Sequence, residues 1–504
     1  MPALTLTGRG GRSFEVPTGL FISNQFIDSI NRTTLDVYNP YSGALLGTVS
    51  AGESADIDLA VQEASKALPT WRRLPGTEKE RLLYRLASLI ARDADDFAAI
   101  HALDAGMVYD QVRALDIRNA TDVLRHFAGW ADKISGRITD ITNGTGYVRR
   151  EPFGVCGLII PWNAPLMITC WKLGPALASG NVVIIKSPEL APLCGQKLGQ
   201  LIAEAGFPPG VVNIVPGHGA TAGQAIAEHM QIRKVSFTGS TQTGRKVLQA
   251  AASSNLKKVT LELGGKGASI VLKDADLANA AFWTSMGSSA NNGQICVLGS
   301  RIYVQDEVYD DFVKEFSVLS TQGTAYIGNP LDAGVAKGPM ISRSQHARVM
   351  SYIDAGLHEG AQLLFGGKQL HDPMGTADEN HASGFIANTV FVGVTEDMEI
   401  VKEEIFGPVA TIHRFSTEAE VIQKANASEY GLSASIFSRD IDRVQRLSSA
   451  LEAGQMFVNC WGTPSANMPF GGTKASGFGS DMGVEALEGW TTLKSTYHWH
   501  MHGE

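Results

Sequence analysis

From Val155 onward the chain repeats one pattern: a short unbroken apolar run, a turn, a segment with helical spacing, then another apolar run. An unbroken apolar run suits a parallel strand covered on both faces, because side chains pointing either way meet protein rather than water. The spacing predicts strands over 155–160, 181–186, 211–215, 234–238 and 258–263, with helices over 193–205, 221–228 and 243–252 between them. Repeated βαβ units fold as a doubly wound sheet, which takes ligands at the carboxyl ends of its strands.

A second region of the same style begins near Ala268, with strands over 269–272, 301–304, 391–394, 409–415 and 433–437 and helices over 277–290, 309–319 and 418–425. The join, Leu261-Glu262-Leu263-Gly264-Gly265-Lys266, is Gly-rich and suits a hinge or a cleft wall. Upstream, residues 21–49 read as short strands with turns. Residues 54–133 read as a helical layer, with apolar residues at helical spacing in Leu82-Leu83, Leu86-Ala87 and Leu89-Ile90. The segment 368–383 reads as a surface loop. The tail 494–502 alternates Tyr497, Trp499 and Met501 with His498, His500 and His502, a strand whose histidines form a solvated face rather than a metal site. A terminal strand with one aromatic face suits pairing with another subunit's sheet.

With 504 residues, 44% of them hydrophobic, the chain has room for two or three domains. Its 42 Lys and Arg against 51 Asp and Glu leave a net charge of -9 with no block of like sign, which argues against a nucleic-acid partner. No run approaches the roughly 18 apolar residues of a membrane span, and residues 1–16 lack a signal-peptide core, so a soluble cytoplasmic protein is expected. The five cysteines are odd in number, far apart and without a CxxC pair, the usage of a reducing compartment. Cys156 and Cys460 lie in apolar, strand-like runs and read as buried hydrophobes. Cys296 differs, because its flank Asn291-Asn292-Gly293-Gln294-Ile295 is polar and contains a glycine.

A useful thiol needs partners from elsewhere. The strand ending at Ile160 runs into Pro161-Trp162-Asn163-Ala164-Pro165, where two prolines hold Asn163 in a rigid turn and its amide offers two donors. Phe237-Thr238-Gly239-Ser240 ends a strand and opens a helix with hydroxyl caps. That suits either an ordinary capped helix or a phosphate site, though without the GxGxxG fingerprint. Pro216-Gly217-His218-Gly219 is a second Gly-rich turn. Lys186-Ser187-Pro188-Glu189 puts an ammonium and a carboxylate at a strand end, to grip ribose hydroxyls or to pair with each other.

Pro161-Trp162-Asn163, Phe237-Thr238-Gly239-Ser240, Glu262-Leu263-Gly264-Gly265-Lys266, Gly293-Gln294-Ile295-Cys296, Glu404-Ile405-Phe406-Gly407-Pro408 and Pro469-Phe470-Gly471-Gly472 occur in the order and approximate spacing of the NAD(P)-dependent aldehyde dehydrogenase superfamily. The chain resembles that family from about residue 19 to residue 497. The resemblance implies an α/β fold with a Rossmann-like dinucleotide-binding domain (1–131 and 152–262), an α/β catalytic domain (263–480) and a small β oligomerisation element (132–151 and 481–504), assembled as a homodimer or homotetramer.

The resemblance also implies the site. Cys296 is the nucleophile, Asn163 with the Cys296 N–H holds the oxyanion, and Glu262 activates water to release the acid from a thioester. Lys186 and Glu189 fall to the adenosine ribose, Gly239 and Ser240 to the pyrophosphate, and Glu404 with Phe406 to the nicotinamide ribose. Ile160, Pro161, Trp162, Gly219, Phe237, Leu263 and Gly264 complete the cofactor set. Glu189 repels a 2′-phosphate, which favours NAD over NADP. Family members relay protons through a late acidic residue, and Asp481 stands where a Glu is common, which leaves that role open. The substrate pocket falls to Ala164, Met167, Ile168, Trp171, Ile295, Val297, Trp461 and Phe470. They make it apolar, with no Arg or Lys for a substrate carboxylate. A hydrophobic aryl or alkyl aldehyde and no resident metal are expected. A CoA-acylating dehydrogenase and a catalytically idle binding relative are the alternatives.

Overall fold

The computed structural model describes residues 2–371 and 382–500. Helix α1 (Ile117–Ala128) packs against α2 (Pro165–Ala178), part of the helical layer expected before residue 133. The first sheet has eight strands. Its centre is five parallel ones: β1 (Val155–Ile159), β2 (Val182–Ser187), β3 (Val212–Pro216), β4 (Lys234–Thr238) and β5 (Lys258–Glu262). The spatial order is β5-β4-β1-β2-β3, continued by Leu20–Ile22 and Gln25–Ile27 beyond β3 and by Gly477–Phe478 beyond β5. The central strands are buried because helices cover both faces, which is why their sequences run apolar without alternation. After β3 the chain crosses back to the other side of β1, so the switch point, where the strand order reverses and a crevice opens, lies between β1 and β4. Helix α3 (Thr241–Ser253) follows β4, capped by the Ser240 hydroxyl accepting from the Thr243 N–H.

The second sheet has seven strands and an independent core. β6 (Ala268–Val271), β7 (Arg301–Gln305), β8 (Val409–Phe415), β9 (Ser433–Phe437) and β10 (Gln455–Val458) lie parallel in the order β8-β7-β6-β9-β10. Thr389–Val392 and Gln362–Phe365 extend it past β8. Five residues, 263–267, join the two sheets, so Glu262 stands where one lobe ends and the other begins. A third sheet of three antiparallel strands combines Arg137–Ile141, Gly144–Pro152 and β11 (Thr491–Trp499); the tail is a strand, as its alternation predicts, and it pairs within its own chain.

Some expectations change. Cys460 is not a buried strand residue: β10 stops at Val458, Asn459 turns left-handed (φ 55°), and Cys460 sits half-buried in the following loop. The helix expected over 221–228 begins earlier, as a helical turn, Gly219–Gly223, running directly into Gln224–Glu228. An N-terminal hairpin, Ala3–Thr7 with Ser13–Pro17, lies where the sequence reading named no strand. Asp372, Pro373, Gly375, Asp378 and Asn380 of the expected surface loop, and His502 of the tail, lie outside the described residues.

Candidate active site

Cys296 is presented by an unusual turn. Asn291, Asn292 and Gly293 all have left-handed backbones, with φ of 47°, 58° and 71°. Such a run is unfavourable for L-residues and persists only where its surroundings impose it. Here the Asn292 side chain donates to the Gly338 and Pro339 carbonyls, and Gln294 accepts from the Ile341 N–H through Oε1. Gly293 has no alternative, because a Cβ there would stand 2.1 Å from the Gly407 backbone. The turn leaves Cys296 half-buried at the junction of the lobes, its carbonyl pressed against Gly265.

The structure brings Asn163 to this turn. Its Nδ2 donates to the Gln294 carbonyl at 3.0 Å, and Asn291 donates back to the Asn163 carbonyl at 3.4 Å. Glu262 approaches from the end of β5, opposite Thr238 of β4. Glu262 is buried, and its Oε1 has no hydrogen-bond partner among the described residues; the buried Thr238 hydroxyl is likewise unpaired. Unpaired polar atoms at such a place suit groups that a ligand or water will meet. Burial pushes the Glu262 carboxyl well above its ordinary pKa; Asp481 and Glu404 add to this, and Lys172 opposes it. Burial also holds the Cys296 thiol up, helped by the Glu262 and Glu404 charges, while the Cys296 and Val297 amides pull the other way. Burial thus disfavours the charged form of both groups.

The residues expected to hold the dinucleotide lie along the carboxyl edge of the first sheet and in the loop 404–406 that precedes β8 of the second. Lys186 and Glu189 meet at 2.5 Å, and Glu189 faces the turn at Gly219. The Gly239 N–H binds the Glu262 carbonyl, and the Phe237 ring fills the space where a side chain on residue 239 would stand. Ile160 is tied to the Lys186 carbonyl. Trp162 meets Phe406 edge to face at 5.4 Å. Glu404 folds onto Gly264 and accepts from the Gly265 N–H at 3.1 Å; burial pushes its carboxyl up to about 7. Leu263 turns away, packing on Gly244 in α3. Gly219, Gly239 and Gly264 at these contacts and the unpaired Thr238 hydroxyl at the end of β4 suit a dinucleotide.

On the substrate side, Trp171 packs on Phe470 at 4.8 Å, and the Trp461 indole donates to the Val297 carbonyl at 2.7 Å, which fixes one wall beside the thiol. Ala164, Met167 and Ile168 lie at or near the start of α2, next to Asn163, and Ile295 is half-buried beside Cys296. Sequence reasoning missed Lys172, whose Nζ stands 2.7 Å from Asp481 with both side chains buried. The clue was present: a lone lysine within the apolar helix Pro165–Ala178 needs a buried partner. Also missed were Gln345 and Arg348, which bind the carbonyls of Phe406 and Glu404 and hold that loop in place.

A thiol on an imposed turn, tied through Asn163 to the carboxyl end of β1 in a doubly wound sheet, suits an NAD(P)-dependent oxidoreductase. The model of the aldehyde dehydrogenase family matches residues 26–496. An aldehyde dehydrogenase of Agaricus bisporus is 45% identical over 489 residues, covering 96% of this chain and 95% of that one. Human aldehyde dehydrogenase 1A1 is 46% identical over 482 residues, 95% of this chain and 94% of the relative. Among solved structures, a mutant of the P. syringae indole-3-acetaldehyde dehydrogenase AldA in complex with NAD+ and IAA superimposes with a TM-score of 0.92 at 36% identity, covering 96% of this chain and 97% of that one. The chain belongs to the aldehyde dehydrogenase family, and its reaction is the oxidation of aldehydes.

Proposed function

We propose that the protein oxidises a hydrophobic aryl or alkyl aldehyde to the carboxylic acid with NAD, through a covalent adduct on Cys296. The observation that carries this reading is the convergence of Cys296, Asn163 and the unpaired Glu262 carboxyl at one junction. The cofactor supplies a hydride acceptor. The protein's own groups do the rest. As the Cys296 sulfur bonds to the aldehyde carbon, the thiol proton passes to an ionised Glu262. The new alkoxide is met by the Asn163 Nδ2 and the Cys296 N–H, donors already in place. Loss of hydride from that carbon leaves a thioester. Once Glu262 has released its proton, it takes one from water as the water oxygen bonds to the carbonyl carbon. The C–S bond breaks, and the Cys296 thiolate is reprotonated. The paired charges of Lys172 and Asp481 tune Glu262 for both proton transfers.

Glu189, facing Gly219, supports NAD over NADP. The Glu262 carboxyl argues against CoA acylation, which needs no base for water. The intact Cys296, Glu262 and Asn163 argue against an idle relative. The two large sheets and the third, small one support a three-domain division, although Gly477–Phe478, expected in the catalytic domain, pairs with β5 of the first sheet. Free edges support a homodimer or homotetramer: β11 and β10 each end a sheet, and Leu493, Tyr497 and Trp499 share one face of β11 at 64%, 75% and 61% exposure. Among the described residues no helix is long and apolar enough to cross a membrane. All five cysteines are free, in keeping with a cytosolic, reducing setting. The test is NADH production across an aldehyde panel with and without CoA, with Cys296→Ala as the blank. Higher kcat/KM for benzaldehyde or decanal than for succinic semialdehyde, with free acid as product, is expected. A preference for the charged aldehyde, or an acyl-CoA product, would overturn it.

A further inference from the structure

The strained turn under Cys296 is imposed from one side by residues 338–341. The Asn292 Nδ2 donates to the Gly338 and Pro339 carbonyls at 2.8 and 2.9 Å, and the Ile341 N–H donates to the Gln294 Oε1. That support is itself irregular chain. Between Gly323, where one helix ends, and Arg343, where the next begins, the backbone makes an isolated bridge, Ile327 to Lys337, but no further helix or strand. A strap with so little structure of its own is only as stiff as what it is tied to.

On the side of the second lobe, Lys337 donates to the Asn388 Oδ1 at 2.6 Å and the Met340 N–H to the Gly384 carbonyl. Other ties cross to the first lobe. The Tyr109 N–H donates to the Pro330 carbonyl at 2.9 Å, and the Gln111 Nε2 to the Ala336 carbonyl at 2.8 Å. Gly338 runs so close to Gly106 that a Cβ on it would stand 2.1 Å from the Gly106 carbonyl oxygen. A further tie comes from the tip of the N-terminal hairpin. There Arg9 donates through Nε to the Leu331 carbonyl at 2.6 Å and through Nη2 to the Asp332 carbonyl at 3.1 Å. The same guanidinium is anchored on the first lobe, where the Asp110 carboxylate accepts from both terminal nitrogens at 2.6 and 3.0 Å and the Tyr109 ring lies 4.1 Å away. A planar fork with five donors suits this double duty.

We propose that Arg9 is a positioning residue for Cys296. By clasping residues 331–332 to the first lobe it stiffens the strap that imposes the left-handed turn, so the N-terminal hairpin governs how well the thiol is aimed. This rests on the reading above that Cys296 is the nucleophile. Arg12, on the same hairpin tip, supplies the comparison: its guanidinium pairs with Asp96 at 2.5 Å, within the first lobe, and among the described residues it makes no hydrogen bond to the strap.

The test is the rate of NADH formation in a single turnover, enzyme in excess over aldehyde, which reports thiol attack and hydride loss. Arg9→Ala should slow it about five- to tenfold with KM for NAD within about twofold of the wild type, while Arg12→Ala should keep the rate within about twofold. Each variant loses an ion pair at the surface of the hairpin, so their melting temperatures should fall alike and by little. The coupling is read through Asn292→Gly, which accepts φ 58° and removes only the side-chain link to the strap. Adding Arg9→Ala to Asn292→Gly should slow the reaction by less than about twofold more, because that link is already gone. An unchanged rate in Arg9→Ala, an equal loss in Arg12→Ala, or a full further loss in the double variant would overturn the inference and leave the enzyme reading intact. No NADH from any aldehyde in the wild type would bring down that reading, and this inference with it.

Discussion

Replacing Lys172 by methionine leaves Asp481 a buried carboxylate with no counter-charge. The two groups stand 2.7 Å apart at 1% and 7% side-chain exposure. Removing one partner of such a pair costs about 3–5 kcal/mol, because the remaining charge keeps its desolvation penalty. A cooperative unit of this size has an unfolding entropy of roughly 1 kcal/mol per kelvin, so calorimetry should show Lys172→Met melting about 3–5 °C below the wild type. Adding Asp481→Asn removes the stranded charge and should recover most of that loss. The catalytic effect has a sign of its own. Asp481 pushes the Glu262 carboxyl up and Lys172 pulls it down. In kcat/KM measured from about pH 6 to pH 9, the limb that rises as Glu262 ionises should move to lower pH in Asp481→Asn and to higher pH in Lys172→Met. An unchanged melt in Lys172→Met, or shifts of both variants in the same direction, would refute the reasoning.

Gly293→Ala should slow both turnover and iodoacetamide alkylation of Cys296 by about ten- to a hundredfold, since a left-handed alanine at φ 71° meets the Gly407 backbone and displaces the thiol. Glu189→Ser should raise kcat/KM for NADP relative to NAD by about tenfold, by removing the carboxylate that repels a 2′-phosphate; an unchanged ratio would place NAD selection elsewhere. Glu404, whose carboxyl is pushed up to about 7, binds more protons folded than unfolded. Its contribution to stability therefore falls as pH rises from about 4.5 through about 7. Thermal melts of the ligand-free enzyme should show Glu404→Gln declining less than the wild type over that window, and parallel curves would count against the burial of Glu404.

The parallel strands were legible because burial on both faces writes itself as unbroken apolar sequence: β4, β8 and β9 fall on the residues expected. The N-terminal hairpin was not, because Leu4 and Leu6 with Phe14 and Val16 make too few alternations, around a Gly-rich turn, to stand out. Cys460 misled because its apolar approach through Phe457 and Val458 continues to the point where Asn459 breaks the strand. Motif residues such as Asn163, Glu262 and Cys296 were accessible through resemblance, and the structure gathers them at one junction. The groups around them were not. Lys172 and Asp481 are 309 residues apart, and Asn119 and Trp171 are 52 apart. Such pairs depend on how helices and loops dock, which no local periodicity records. The strain on the Cys296 turn is equally silent, since Asn-Asn-Gly signals a turn without showing that three left-handed residues follow one another.

The central claim is that the aldehyde carbon becomes an acyl group on Cys296 before water removes it. Glu262→Gln, mixed with NAD and an aromatic aldehyde and quenched in acid, tests it by peptide mass spectrometry. The account predicts a Cys296 peptide heavier by one acyl group, formed with one equivalent of NADH per site, more slowly than in the wild type because the thiol has lost its proton acceptor, and persisting because water is not activated. NADH released in that burst with the Cys296 peptide unmodified would contradict it.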